Sequence, residues 1–278
     1  MNVILMMLGV TACYTLTSLN DKYAVAKAKF TGNEFTFLMC ASMAFFLTFT
    51  LPFQKIHFAV TWQSFAAIAL IAICKMLEFQ MSAIVLKQLS AFELKAWVGV
   101  TLFASYITDV FYGADLRILK LLCIAITVLG LVFIAKSGKE GKIEYRKIVF
   151  PLILYLLAKY GYGLVIKAFT QYISPTMQLL PALFLIALIM LFIVKPSQIM
   201  KKNKEGMIKV ILARIPNAAG MLLENAVIAI SLANYSFIQP MILVSLFFIS
   251  VLRKEQCSKL NLMGSAVCVA GVIAFQIF

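Results

Sequence analysis

Charge is scarce in this 278-residue chain, at 13% of residues, and histidine is nearly absent, with His57 standing alone. One histidine leaves no room for a histidine-based metal cluster. The six cysteines (Cys13, Cys40, Cys74, Cys123, Cys257 and Cys268) show no C-x-x-C spacing. Nearly all fall within apolar runs, where cysteine behaves as a small hydrophobe. Neither a disulfide framework nor a zinc site is expected. No G-x-x-x-x-G-K-[ST] run is present, which excludes ATP-driven pumping by this chain alone. No paired-carboxylate, histidine-centred or serine-centred constellation stands out, so the chain is not read as an enzyme and no cofactor is implied.

What the chain has instead is hydrophobic mass. Apolar residues make up 63% of it, and the mean hydropathy is +0.98. Soluble domains are about half apolar and a quarter charged. Such an excess cannot be buried in the core of a soluble chain of this length. A soluble globular enzyme, a disordered tail and a nucleic-acid reader are therefore excluded, and the lipid bilayer becomes the expected partner. The net charge of +14 arises from Lys and Arg in short links between apolar runs. Membrane proteins carry charge in that way, whereas nucleic-acid binders cluster it on one face.

A helix crosses the bilayer core with about 20 apolar residues. The runs are continuously apolar rather than alternating, which favours helices over a barrel. Ten spans are expected: Asn2–Leu19, Asn33–Phe53, Trp62–Leu86, Ala91–Phe111, Leu119–Lys136, Ile148–Tyr172, Thr176–Val194, Met207–Leu232, Tyr235–Leu252 and Leu260–Phe278. Met1–Asn2 provides no basic region ahead of the first run, so that run reads as a permanent span and not as a cleaved signal. The link near Ser137–Lys147 divides the chain into halves of five spans, 1–137 and 138–278. Shifting the chain by 141 residues places Cys123, Thr127 and Gly130 on Gly264, Cys268 and Gly271. Both sets are small residues at i, i+4 and i+7, a close-packing face for membrane helices. A shift of 146 places Tyr14 on Tyr160 and Glu78 on Glu224. Two copies of an odd number of spans lie inverted in the membrane. The expected fold class is thus an all-α integral membrane protein with two inverted five-helix repeats, a pattern of secondary transporters. Most of the 25 Lys and Arg fall in links after odd-numbered spans, and only Lys55, Arg117 and Lys120 lie on the other face. The positive-inside rule then puts both termini outside the cytoplasm.

Ten spans in two halves resemble the drug/metabolite transporter superfamily, in its EamA-like branch. The likeness rests on Ser90-Ala-Phe-Glu, Gly113-Ala-Asp-Leu-Arg and Gly130-Leu-Val-Phe-Ile in the first half. In the second half it rests on Pro240, Arg253-Lys-Glu and Gly271-Val-Ile-Ala-Phe, with Tyr160-Gly161 as an aromatic–glycine pair early in that half. Tyr14-Thr15 lacks the corresponding glycine. The resemblance implies a bacterial plasma membrane, and it implies cytoplasmic termini, against the charge count.

Charges within spans are costly, about 2.5–3.5 kcal/mol each on insertion scales, and are candidate functional groups by default. Lys75 and Glu78 lie three apart on one helical face, so they read either as a local ion pair or as cavity-lining groups. Glu224 lies deep in span eight and is followed by Asn225. Arg214 reads as an interface anchor or as a cavity residue. Pro216 predicts a bend, because its ring clashes with the carbonyl of Leu212. Lys159 sits mid-span in Lys159-Tyr-Gly-Tyr-Gly, whose glycines permit close helix approach. The candidate substrate-binding set is Lys75, Glu78, Lys159, Tyr160, Arg214, Glu224, Tyr14 and Asn225. Glu78 and Glu224 are the candidate proton sites, since burial disfavours a charged carboxyl. Lys167 reads as an anchor, and Asp109 lacks a second aspartate for a protease dyad. The expected function is a secondary transporter of a small polar metabolite such as an amino acid or a phosphorylated or carboxylated solute. It would act as a monomer or homodimer by alternating access. The alternatives are an exporter of organic cations or drugs, and a lipid-handling membrane protein without solute transport.

Overall fold

A computed structural model describes residues 2–26, 30–54, 56–85, 89, 94, 97–137, 145–252 and 259–278. Among the described residues the regular elements are helices, joined by one antiparallel bridge between Phe58 and Ile173. In chain order they are α1 (Val3–Ala26), α2 (Gly32–Thr48), α3 (Trp62–Val85), α4 (Thr101–Phe111), α5 (Ile118–Ser137) and α6 (Tyr145–Phe169). Then come α7 (Pro175–Ile193), α8 (Pro196–Lys202), α9 (Lys204–Leu212), α10 (Arg214–Ile230), α11 (Leu232–Leu252) and α12 (Lys259–Ile277).

Among the described residues, five segments are long and apolar enough to cross a membrane: Trp62–Val85, Ile148–Phe169, Pro175–Ile193, Lys204–Ile230 and Leu232–Ile249. Shorter apolar stretches cover Val3–Ser18, Ile118–Ile134 and Leu262–Ile277. Large apolar side chains such as Phe111, Phe192 and Leu252 stand more than four-fifths exposed on the outer surface, while charged Lys75, Glu78, Lys159, Arg214 and Glu224 are buried. A water-soluble protein distributes these the other way. The chain is an all-α integral membrane protein.

Local chemistry sets the helix ends. Thr31 and Glu34 form a capping box at the start of α2, with the Thr31 amide donating to Glu34 Oε2 at 2.7 Å. This satisfies amides that the first helical turn leaves free. Asn203 caps α9 by accepting from the Gly206 amide at 2.7 Å. The link expected between spans seven and eight contains the short helix α8.

Four spans differ from the sequence reading. Span one continues as helix to Ala26, beyond Leu19. The helix of span two ends at Thr48, and a separate 3-10 turn covers Leu51–Phe53, with Pro52 within it. Span four is not one helix over 91–111. A turn at Gly99–Val100 precedes α4, with the Val100 amide bonded to the Trp97 carbonyl and the Leu102 amide to the Gly99 carbonyl. Glycine lowers helix propensity, and Thr101 Oγ1 takes the Val98 carbonyl at 2.7 Å. Span eight is divided into α9 and α10 at Ala213, three residues before Pro216, where the clash with Leu212 predicts the break. The half boundary at 137/138, the Ser90-Ala-Phe-Glu and Arg253-Lys-Glu motifs, and Cys257 fall wholly or mainly outside the described residues.

Packing follows a distinct pattern. The closest helix partners are α5 with α12, α3 with α6, α1 with α10, and α2 with α7. Helix α11 packs on α1, α4 and α12, and α3 also meets α7. The α5–α12 crossing is made by the small residues matched at a shift of 141. A Cβ on Gly130 would sit 2.6 Å from both the Cys268 nitrogen and the Gly264 carbonyl oxygen. A Cβ on Gly271 would sit 2.8 Å from the Thr127 nitrogen and 2.9 Å from the Cys123 carbonyl oxygen. Only glycine permits two backbones to approach this closely.

Candidate functional site

Glu78 lies about two turns before the C-terminal end of α3, with Lys75 one turn before it on the same face. Lys75 Nζ lies 2.9 Å from Glu78 Oε2. The other oxygen, Oε1, is 3.0 Å from Lys159 Nζ of α6. All three side chains are buried. The local pair read from the sequence is therefore one half of a three-residue tie between α3 and α6. Lys159 enters from 81 residues away, at a distance no local spacing reports.

Aromatic rings surround the ammonium groups. Lys75 Nζ is 3.6 Å from the centroid of the Tyr162 ring, and Lys159 Nζ is 5.9 Å from that of Tyr235. The negative ring faces attract these cations. Glycines make room for the rings and for the crossing. A Cβ on Gly163 would meet the Tyr235 ring at 2.9 Å, and one on Gly161 would meet Cys74 Sγ at 3.3 Å.

The Tyr162 hydroxyl carries the network onward by donating to Asn225 Oδ1 at 2.8 Å. Beside Asn225, Glu224 is 1% exposed and accepts from the Tyr14 hydroxyl of α1 through Oε2. Tyr14 reaches it because Gly220, one turn earlier on α10, has no side chain; a Cβ there would lie 2.7 Å from the Tyr14 ring. Glu224 Oε1 and Asn225 Nδ2 are buried without a hydrogen-bond partner. Such orphaned atoms cost about 1–3 kcal/mol each, and more for a charged group.

Six of the eight predicted residues thus meet in one buried tract: Lys75, Glu78, Lys159, Asn225, Glu224 and Tyr14. Tyr160 does not join it. Its hydroxyl lies 2.5 Å from Thr108 Oγ1 of α4, so it ties α6 to α4. Arg214 is fully buried rather than snorkelling to an interface, and its Nε donates to the Val210 carbonyl at 3.2 Å. That bond falls across the α9–α10 break.

Sequence reasoning weighed Asp109 only as half of a protease dyad and left it out of the candidate site. Its carboxylate accepts from Ser231 Oγ at 2.7 Å, the Leu232 amide at 3.0 Å and the Ala233 amide at 2.9 Å. It also pairs with Lys167 near the end of α6. A carboxylate at a helix N-terminus meets free amides and the positive end of the helix dipole. The serine preceding the apolar run of α11 was the available signal, as an N-cap. At the same end of α6, the Ser174 amide donates to the His57 carbonyl at 2.8 Å, and Thr176 bonds Gln54 at 2.5 Å.

Two outer grooves are lined almost wholly by apolar side chains. One, of about 480 Å³, lies between α2 and α7 beside Phe45, Phe49 and Phe184. The other, of about 400 Å³, lies between α11 and α12 beside Phe248 and Leu262. Neither is lined by a residue of the charged tract. Among the described residues no three His, Cys, Asp or Glu side chains converge as metal ligands would.

No model of a known protein family matches the chain, and no curated protein matches its sequence.

Proposed function

We propose that the chain is a secondary transporter that moves a small polar metabolite by alternating access. The observation carrying this reading is the buried tract from Lys75 and Glu78 through Tyr162 and Asn225 to Glu224 and Tyr14. Charges at membrane depth are retained where they bind a solute or an ion. This tract lies where α3 meets α6 and α1 meets α10, between helices of the two sequence halves. Transporters built from repeats hold their solute at that junction.

The ten-span, inverted-repeat arrangement belongs to this proposal. Exchanging α1 with α6, α2 with α7, α3 with α10, α4 with α11 and α5 with α12 turns the α3–α6 pair into the α10–α1 pair. The α5–α12 and α2–α7 pairs map onto themselves. The reciprocal glycine contacts support the same exchange, because Gly130 against Cys268 and Gly264 becomes Gly271 against Thr127 and Cys123 at a shift of 141. The EamA-like resemblance fits that organisation. The charge bias of the links favours an orientation in which the Asp109–Lys167 contact closes the non-cytoplasmic end.

Counterflow in liposomes tests the proposal. Protein-loaded vesicles would be offered labelled amino acids, sugar phosphates, carboxylates and organic cations, with and without a pH gradient. Exchange of one solute class above protein-free vesicles is expected. It should be lost in Glu224→Gln, whose variant removes the buried charge. Absence of exchange for every class, in protein shown to be folded, overturns the reading.

A further inference from the structure

We propose that Glu224 and Asn225 form the solute subsite, and that the group they take is a primary ammonium beside a hydrogen-bond acceptor. This rests on the transporter reading and narrows its substrate class.

The charged groups of the tract are not equivalent. Both oxygens of Glu78 are occupied, at 2.9 Å by Lys75 and at 3.0 Å by Lys159. An anionic solute reaching either lysine would have to displace a carboxylate already in contact. The excess of cations in the sequence suggests anion binding, but the structure directs both deep lysines to Glu78. That trio acts as a tie between α3 and α6.

Glu224 differs. Tyr14 satisfies Oε2, and Oε1 has no hydrogen-bond partner. Tyr162 satisfies Asn225 Oδ1, and Nδ2 has no hydrogen-bond partner. Buried polar groups are paired almost without exception, and each orphan calls for an explanation. These two orphans are adjacent in sequence and opposite in chemistry. The carboxylate oxygen requires a donor, and a charged N–H makes the strongest such bond. The amide requires an oxygen acceptor. Tyr14 and Tyr162, hydrogen-bonded to Glu224 and Asn225, bring two aromatic rings to the subsite, and ring faces favour a cation. The formal charges of Lys75, Lys159, Glu78 and Glu224 cancel. A zwitterion such as glycine leaves the tract neutral, whereas ethanolamine adds one positive charge that Glu224 faces directly.

Calorimetric titration of the purified full chain tests the assignment with ethanolamine, glycine, propylamine, tetramethylammonium, acetate and inorganic phosphate. Ethanolamine and glycine should bind. Propylamine, lacking the acceptor, should bind about tenfold more weakly. Tetramethylammonium, lacking an N–H, should not bind, nor should acetate or phosphate. Glu224→Gln should weaken glycine about tenfold or more. Asn225→Leu should abolish the preference for ethanolamine over propylamine while retaining amine binding, and it carries the test if Glu224→Gln does not fold. Binding of acetate or phosphate that is lost in Lys159→Met and kept in Glu224→Gln overturns the subsite and leaves the transporter standing. Binding of none of these probes, by protein that exchanges solute in liposomes, overturns the subsite alone. Absence of both binding and exchange overturns both readings.

Discussion

Glu78 holds two ammonium groups with one carboxylate, and that asymmetry predicts how its neighbours respond to substitution. Removing Lys159 leaves the 2.9 Å Lys75–Glu78 pair intact and balanced. Removing Glu78 leaves two buried ammonium groups facing no carboxylate at contact distance. Breaking a buried pair so that a charge is left uncompensated costs about 3–5 kcal/mol. Glu78→Gln should therefore lower the unfolding midpoint in detergent more than Lys159→Met does, and adding Lys159→Met to Glu78→Gln should recover part of the loss. The reverse order would mean that the lysines, not the carboxylate, anchor the tie. Lys75 and Glu78 were legible in sequence because a spacing of three puts both on one helical face. Lys159 was legible as a mid-span charge, but not as their partner, since nothing local encodes which helix α6 meets. Tyr160 shows the converse. Its ring and hydroxyl in a mid-span position made it a site candidate, yet its hydroxyl turns to Thr108, and Lys159 rather than Tyr160 occupies the face towards Glu78.

Helix crossings carry their own requirements, and here the sequence was more informative. The small residues at i, i+4 and i+7 marked the face by which α5 and α12 meet, because backbone approach depends on what is missing from the side chain. A methyl group at Gly130 would press on the backbone of α12 at 2.6 Å, and backbone cannot rotate aside. Gly130→Ala and Gly271→Ala should each destabilise by the about 1–3 kcal/mol typical of overpacking, or more where the helices cannot separate. Gly161→Ala should cost much less, because its new methyl meets only the Cys74 sulfur at 3.3 Å. Thermal unfolding of the three variants in one detergent checks the order. Equal losses would mean that the α5–α12 contact is no tighter than the α3–α6 one. Pro216 announced the division of span eight in the same way, through a missing amide and a ring that crowds the preceding turn. Span four was misread because one glycine in a long apolar run looks tolerable, and the turn at Gly99–Val100 depends on hydrogen bonds that composition does not display.

At the scale of the whole molecule, the proposed alternating access requires the bundle to part at one end, and one contact there would have to yield. Asp109 joins three helices at one end of the bundle: it lies on α4, caps the N-terminus of α11 and pairs with Lys167 of α6. In the proposed transporter, a lock at this end biases the population towards conformations closed there. A ligand or substitution shifts such an equilibrium only by its differential interaction with the two states. Asp109→Asn removes the charge on which Lys167 and the helix dipole act, and it acts on the closed state selectively if the helices part on opening. A loss of about 1.4 kcal/mol changes the ratio of open to closed molecules about tenfold. Cys13 and Cys74, adjacent to Tyr14 and Lys75, report water entry. A charged, membrane-impermeant thiol reagent added from the Asp109 side should label them about tenfold faster in Asp109→Asn, and Asp109→Glu should restore much of the protection. Labelling that rises equally from both sides would indicate general loosening and not a gate. An unchanged rate would make Asp109 a helix cap and nothing more.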